Sequence, residues 1–212
     1  MEKSDTYFAA AIVCAFFGRV FLHDPEKEFI TQVHDENLLA EWPLDTTPDV
    51  KGSLDVLSIC IADLDDQGVG LLQDDYNSLF VIPDSAVPVW ESVWTTKERL
   101  LFGDPTFAVR EAYARYGVVA PKLNNEPDDH IGLELDFMAR LFALSADAME
   151  AGDTVKAAEC AEDVRTFYQD HFGKWAKDCL SEIASKATTD YYKSMARLCM
   201  DTMDSLPGIL EQ

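Results

Sequence analysis

Basic side chains are scarce in this sequence. Its 212 residues include 17 lysines and arginines against 39 aspartates and glutamates, which gives a formal net charge of −22. From residue 52 to residue 96 there is no lysine, arginine or histidine. Phosphate binding needs a basic face, so this composition argues against nucleic acid as a partner. It leaves two explanations of the acidic surface open, namely solubility and a cationic partner.

Glycine is also scarce, and the chain carries none of the glycine-rich loops that hold phosphates. It has ten glycines, without a GxSxG turn, a P-loop or a dinucleotide fingerprint. Histidines and cysteines lie scattered, without a CxxC pair, at positions 23, 34, 130 and 171 (His) and 14, 60, 160, 179 and 199 (Cys). We therefore expect no metal, no cofactor and no disulfide framework, and thiols that stay reduced.

The longest apolar run is too short to cross a membrane. AAAIVCAFF (9–17) follows a segment with two acids and one lysine, whereas a span needs about 18 apolar residues and a signal peptide needs a basic start. We predict neither a signal peptide nor a stable membrane insertion. The sequence indicates a soluble cytoplasmic protein.

Sustained polar–apolar alternation is absent, while helical spacing recurs along almost the whole chain. Hydrophobic residues make up 48% of the sequence, enough for a filled core. We predict an all-α, two-lobed bundle of roughly ten helices, with lobes 1–120 and 131–212 packed as one domain. The proline- and asparagine-containing segment VVAPKLNNEP (118–127) predicts a hinge near 118–130. Two local helix starts are also predicted, at Asp24-Pro25 and at a Thr95–Glu98 capping box.

The most concentrated group of ionisable residues is Glu126-Pro127-Asp128-Asp129-His130. It stands directly before a helical pattern that includes Ile131, Leu135 and Phe142. Four interpretations are open: an aspartate that caps the helix, a metal site, a catalytic acid–histidine pair, and a carboxylate patch that binds a cationic peptide. Capping accounts for one acid. The scattered histidines and the missing phosphate loop weigh against metal binding and catalysis.

A second acidic region points in the same direction. Residues 52–96 contain eight acids interleaved with Tyr76, Phe80, Trp90 and Trp94. Guanidinium groups pair with carboxylates and stack on aromatic rings, so this combination suits an arginine-bearing partner. The competing interpretation is that the acids form a solvated face and the aromatic residues form core. The acids are Asp55, Asp63, Asp65, Asp66, Asp74, Asp75, Asp84 and Glu91.

These segments resemble the TorD/DmsD family of redox enzyme maturation chaperones. The resemblance rests on EPDDHIGLELDFMA (126–139), on YNSLF followed by Pro83, and on SVWTTKERLLFGDPT (92–106). FYQDHFGKWAKDCL, with His171 and Trp175, is similar but less specific. The resemblance implies a two-lobed helical chaperone with a hinge near EPxDH. It also implies that the partner is the twin-arginine signal peptide of a molybdoenzyme precursor, held back from export until cofactor insertion.

By matching motifs, the resemblance implies a set of peptide-binding positions: Tyr76, Leu79, Phe80, Trp90, Trp94, Gly103, Pro127, Asp129 and His130. We add Glu126 and Asp128, and expect Glu126, Asp128 and Asp129 to pair with the two arginines while the aromatic residues receive the apolar part. His130 is expected to cap or orient a carboxylate. The alternative function is a hydrolase or nucleotide-binding enzyme that uses Asp129 and His130. For the oligomeric state, the resemblance implies either a monomer or a domain-swapped dimer.

Overall fold

The computed structural model describes residues 2–82 and 86–211 of the chain, and helices are the main regular elements within them. Pro83 and Asp84, which the sequence analysis named, lie outside the described residues. No strand occurs in the described ranges, which confirms the all-α prediction. The α-helices are α1 Lys3–Leu22, α2 Lys27–Asp35, α3 Pro48–Ala62, α4 Asp66–Tyr76, α5 Glu91–Thr95, α6 Asp104–Arg115, α7 Ile131–Glu150, α8 Thr154–Asp170, α9 Ala176–Lys186, α10 Asp190–Met203 and α11 Leu206–Leu210. A π-helical turn covers Asn77–Val81 and a 3-10 turn covers Phe172–Lys174.

Contacts divide the chain into two compact units that are interleaved in sequence. The first contains residues 2–22, 88–177 and 206–211, and the second contains residues 23–82, 86–87 and 178–205. Residues 121–130 lie inside the first unit. The predicted lobes 1–120 and 131–212, with a hinge near 118–130, therefore stay a prediction.

In the first unit, α1 and α7 form the centre of the core. Tyr7 meets Phe142 edge-to-face at 5.4 Å between ring centroids. The two helices approach closely at Gly18 and Gly132, where a Cβ atom on Gly132 would lie 2.9 Å from the Gly18 carbonyl oxygen. By length and composition α1 could cross a membrane, but 67% of its apolar stretch is buried inside the protein. Packing against α7 accounts for that apolar character.

The second unit is built around α3 and α10, and a buried aspartate fixes the start of α10. Asp75, only 2% exposed, accepts hydrogen bonds from the backbone N–H groups of Thr188 (3.0 Å) and Thr189 (2.8 Å) and from the Thr189 hydroxyl (2.6 Å). Its negative charge lies at the positive end of the helix dipole. Asp75 is thus a structural residue and not part of a solvated acidic face.

Two predicted helix starts are wrong. α2 begins at Lys27 with Glu26 as its extended N-cap, and not at Asp24-Pro25. No helix follows Thr95 before α6. The backbone is left-handed at Arg99 (φ 51°) and Phe102 (φ 60°), which no right-handed helix accommodates. The Thr95 hydroxyl donates instead to the Glu91 carbonyl, at 3.0 Å.

Candidate functional site

A short antiparallel bridge joins Trp90 to His130 and organises the candidate site of the first unit. The Glu91 N–H donates to the Asp129 carbonyl at 2.9 Å, and the Ile131 N–H donates to the Val89 carbonyl at 2.8 Å. The bridge brings the indole and imidazole rings together edge-to-face, with centroids 5.8 Å apart. Two segments that lie about forty residues apart in sequence are thereby held in one fixed register.

The Asp129 carboxylate is fully buried and fastens two helix N-termini. It accepts from the Ser92 N–H at 2.7 Å, in the first turn of α5, and from the Thr106 hydroxyl at 2.8 Å, in the first turn of α6. Gly103 is the N-cap of α6, and its carbonyl accepts from the Thr106 N–H at 3.0 Å. An anion is stabilised near helix N-termini, so Asp129 organises this corner of the first unit.

The Asp128 carboxylate is 1% exposed and is paired with Arg110 of α6. The guanidinium donates from Nε to both oxygens at 3.1 Å and from Nη2 to one oxygen at 2.7 Å. The pairing raises the pKa of Arg110. Arg110 also binds Asn124 at 3.1 Å, and Tyr113 donates to the Asp128 carbonyl at 3.2 Å. A buried carboxylate needs such partners, because a lone buried charge is costly.

His130, and not an aspartate, is the N-cap of α7. Its Nδ1 accepts the Gly132 N–H at 3.0 Å, so the neutral ring carries its proton on Nε2. The prediction that Asp128 or Asp129 caps this helix is therefore wrong. The expectation that these two carboxylates face a ligand is corrected as well, because both are buried with internal partners. Their membership of a peptide-binding site stays a prediction.

The remaining predicted residues of this segment differ in exposure. Glu126 is exposed and forms an ion pair with Lys122 at 2.6 Å, while Pro127 is buried. Trp94 is half-buried, and its Nε1 donates to the Pro88 carbonyl at 2.7 Å; the Arg99 guanidinium lies 5.6 Å from its ring centroid.

Trp90 is also half-buried, but its indole N–H is enclosed. Among the described residues this buried Nε1 has no hydrogen-bond partner. The two tryptophans therefore present part of their rings at the surface while their backbone is fixed by the bridge and by α5.

The other predicted aromatic residues lie in the second unit. Tyr76 and Phe80 meet at 5.0 Å between centroids, and Phe80 meets Tyr192 of α10 at 5.8 Å. Leu79 is buried, and its carbonyl accepts the Val87 N–H at 2.7 Å. Tyr76 and Phe80 are half-buried, so they combine packing with a presented edge. The predicted set is divided between the units, with these three in the second and the other eight in the first.

Apart from the buried Asp75, the acids of residues 52–82 are all exposed, namely Asp55, Asp63, Asp65, Asp66 and Asp74. Asp65 caps α4 by accepting the Gly68 N–H at 2.8 Å, and Asp66 pairs with Lys27 at 2.5 Å. The exposed members create a negative field at this surface.

A buried carboxylate network was missed by the sequence analysis. Glu91 (3% exposed) contacts His171 at 2.9 Å, and Glu134 (0% exposed) accepts from Trp175 Nε1 at 3.1 Å. Burial first, and then the neighbouring carboxylates Glu91 and Asp129, raise the pKa of Glu134 well above its usual value. The resemblance had included the segment with His171 and Trp175, but no spacing rule connects them to acids 80 and 41 residues earlier.

The metal and catalytic interpretations gain no support from this geometry. Within residues 2–82 and 86–211 no group of three or more His, Cys, Asp or Glu side chains could hold a metal ion. Both oxygens of Asp129 accept hydrogen bonds from Ser92 and Thr106, and His130 Nδ1 is used by a backbone N–H. A general base must reach a substrate proton, and these groups are instead engaged inside the protein.

Comparisons with known proteins agree with one another. The nitrate reductase delta subunit family model matches residues 45–181. The Tat proofreading chaperone DmsD of Salmonella typhi is 25% identical over 198 residues, covering 91% of this chain and 86% of the relative. The chaperone protein YcdY of Escherichia coli is 25% identical over 209 residues, covering 95% of this chain and 96% of the relative. The chaperone protein TorD of Vibrio cholerae is 33% identical over 131 residues, covering 61% of this chain and 57% of the relative.

The fold is similar to that of a crystal structure described as a redox enzyme maturation protein from Archaeoglobus fulgidus. The match covers 92% of this chain and 93% of that chain, with a TM-score of 0.52 and 18% sequence identity. That likeness concerns the fold alone. The sequence relatives are named as chaperones and not as enzymes. The chain belongs to the nitrate reductase delta subunit family, that is, to the TorD/DmsD family of redox enzyme maturation chaperones.

Proposed function

We propose that the protein is a cytoplasmic chaperone that binds the twin-arginine signal peptide of a molybdoenzyme catalytic subunit and delays its export until the cofactor is inserted and the enzyme is folded. The observation that carries the proposal is the construction around the Trp90–His130 bridge. Two half-buried tryptophans are presented on a backbone that buried Asp128 and Asp129 hold in place. Clients of the dimethyl sulfoxide reductase, trimethylamine N-oxide reductase or formate dehydrogenase type fit this role.

The proposed roles differ from residue to residue. Trp90 and Trp94 receive apolar side chains of the signal peptide, and Tyr76 and Phe80 form the second apolar contact area. Buried Leu79 supports the backbone between them. Asp128, Asp129, Gly103, Pro127 and His130 fix the shape of the first contact area. Glu126 and the exposed acids of the second unit attract the basic end of the peptide.

Binding of this kind has a defined energetic signature. A disordered signal peptide loses conformational entropy when it becomes ordered, so its affinity is moderate for the area that it buries. Exposed acid–arginine attraction is screened by salt, with a Debye length of about 10 Å at 0.1 M. Raising the salt concentration should therefore slow association, whereas the apolar contribution to the affinity should change less.

An enzyme that uses Asp129 and His130 is the weaker alternative. Its two groups are fixed by internal hydrogen bonds, and the sequence has no phosphate loop. The oligomeric state, monomer or domain-swapped dimer, and a hinge near 118–130 belong to the proposal. Light scattering of the purified protein tests the oligomeric state.

Titration calorimetry with a synthetic twin-arginine signal peptide tests the function. The same peptide with both arginines replaced by lysines, and a scrambled peptide, serve as ligand controls. We expect saturable binding of the first, weaker binding of the second and none of the third. Trp94→Ala should weaken binding, whereas Val155→Ala, a change at an exposed residue of α8 in the same unit, should not. Equal affinity for the twin-arginine and scrambled peptides would refute the proposal.

A further inference from the structure

The first unit contains an open pocket between α6 and α8 that none of the predicted site residues lines. Its volume is about 220 Å³, and we call it the α6–α8 pocket. Phe137 of α7 and Phe167 of α8 form part of its wall, with centroids 4.9 Å apart, and Tyr116 stands 5.8 Å from Phe137. An apolar cavity of about 150 Å³ already admits a benzene molecule, so this pocket has room for one long side chain.

Small side chains on α6 keep the pocket open. Ala108 and Ala112, one helical turn apart, line it where larger residues would fill it. Ala108 is exposed and Ala112 is half-buried, so the opening reaches the surface. A side chain from another molecule can therefore enter without a rearrangement of the core.

The charged groups that face the pocket are three acids, Glu111, Asp163 and Asp170, together with Arg115 and His171. One of these acids is already in use. Arg115 contacts both oxygens of Asp163 at 2.7 Å, and the Tyr116 hydroxyl donates to the same carboxylate at 2.5 Å. The Arg115–Asp163 ion pair places one guanidinium group at the pocket. Because Asp163 neutralises Arg115, the positive charge of Arg115 does not offset the other two acids.

Two carboxylates are left for a ligand. Glu111 forms no ion pair within the described part of the chain. Asp170 has only a 3.8 Å contact with Lys174, between side chains that are 63% and 52% exposed. His171 uses Nδ1 for the buried Glu91. The balance of charge favours a cation and disfavours a phosphate or another anion.

We propose that the α6–α8 pocket binds the guanidinium of an arginine of the partner peptide, with Glu111 and Asp170 as the pairing carboxylates. The inference rests on the proposed function and answers a question that the structure raises. The carboxylates expected to bind the arginines, Asp128 and Asp129, are buried and satisfied internally. Phe137 and Phe167 are almost fully buried, so half-buried Tyr116 offers the aromatic contact for the methylene groups and the planar guanidinium. Arginine uses such a contact better than lysine.

The direct test uses a small probe in place of the whole peptide. Nα-acetyl-arginine-methylamide is titrated against the isotope-labelled full chain, and amide and aromatic NMR shifts are followed. We expect saturable shifts at Phe137, Phe167 and Tyr116. The lysine analogue should give smaller shifts. The acetyl-citrulline analogue, which lacks the charge, should give none. Absence of shifts at these residues with the arginine probe would overturn the inference.

The second test measures coupling to the signal peptide. In Glu111→Gln/Asp170→Asn protein, affinity for the twin-arginine peptide should fall roughly fivefold to tenfold, and it should not change for a peptide with both arginines replaced by citrulline. Asp147→Asn/Glu150→Gln, on the exposed face of α7, removes the same charge outside the pocket and should leave affinity unchanged. Ala112→Leu fills the pocket without a charge change and should weaken binding.

The outcomes separate the inference from the proposed function. If the wild-type protein binds the peptide and the pocket variants bind it equally well, the pocket proposal fails and the chaperone function stands. If the pocket variants and the Asp147→Asn/Glu150→Gln control weaken binding equally, the effect is one of net charge and the pocket proposal again fails. If the wild-type protein does not bind the peptide at all, the proposed function fails, and with it the role of the pocket in signal recognition.

Discussion

Trp175 donates its indole N–H to Glu134 at 3.1 Å, in a place where neither side chain reaches solvent. The other carboxylate oxygen of Glu134 has no donor among the described residues, and the carboxyl group of Glu91 is its neighbour. Burial and the neighbouring carboxylates disfavour the charged form and so raise the pKa of Glu134. Glu134 therefore holds its proton above the pH at which an exposed glutamate would release it.

This relationship predicts a pH-dependent stability. Burial and the nearby carboxylates raise the pKa of Glu134 in the folded protein, whereas its unfolded value is about 4.3. The folded state then binds the proton more tightly. Its contribution to the free energy of unfolding is complete below pH 4.3 and is lost as the pH rises towards the folded pKa, by about 1.4 kcal/mol per pH unit.

Glu134→Gln mimics the protonated carboxyl and should remove this dependence. Urea denaturation at pH 5, 6, 7 and 8 should show that the variant gains stability relative to the wild type as the pH rises. Glu150→Gln, at an exposed position of the same helix, should give a difference that is constant with pH. A constant difference for Glu134→Gln as well would show that Glu134 is ionised in the folded protein.

The Asp129 carboxylate should contribute more to the free energy of unfolding than its position before a helix suggests. Asp129→Ala leaves the Ser92 N–H and the Thr106 hydroxyl buried without an acceptor, which should cost about 2–5 kcal/mol of unfolding free energy. Asp104→Ala, at an exposed residue in the first turn of α6, is the matched control and should cost less than about 1 kcal/mol. Chemical denaturation measures both. A loss below 1 kcal/mol at Asp129 would mean that water satisfies the two donors.

The Arg110–Asp128 pair should show strong coupling in a double-mutant cycle. Asp128 is buried and Arg110 contacts both of its oxygens, so we expect a coupling free energy of about 1–3 kcal/mol between Arg110→Ala and Asp128→Ala. The exposed pair Lys122–Glu126, from the same segment, should couple by less than about 0.5 kcal/mol. Similar coupling in both cycles would contradict the structural role of Asp128.

Sequence patterns were sufficient for part of the elements whose signals are local, but not for the two helix starts predicted at Asp24-Pro25 and Thr95. Apolar spacing predicted α7, and the glycine that ends it, Gly152, has a φ of 75° with Asp153 capping the next helix at 3.0 Å. Gly117, which follows α6, has a φ of 65°. A helix end depends on a few adjacent residues, so glycines of this kind can be recognised without knowledge of the tertiary structure.

The candidate site depends on partners that are distant in sequence, and there the predictions were less complete. A run of acids suggests a solvated surface, and only the structure shows Arg110, 18 residues before Asp128, closing over it. The N-cap role of His130 was missed because aspartate is the commoner cap. The pairing of Glu91 with His171 spans 80 residues and follows from helix packing, which spacing within one helix does not encode.

Two glycine substitutions should have opposite effects on stability, because one lies at the close approach of α1 and α7 and the other lies in open space on α4. Gly132→Ala places a Cβ atom 2.9 Å from the Gly18 carbonyl oxygen and 3.2 Å from the Leu22 nitrogen, both of them backbone atoms that cannot move independently of α1. Overpacking of this kind should cost about 1–3 kcal/mol of unfolding free energy. Gly70→Ala lies inside α4 with open space around its Cβ, so it should stabilise the protein by up to about 1 kcal/mol through helix propensity. Thermal and urea denaturation of both variants measure the difference, and equal effects at the two positions would contradict the tight packing of α1 on α7.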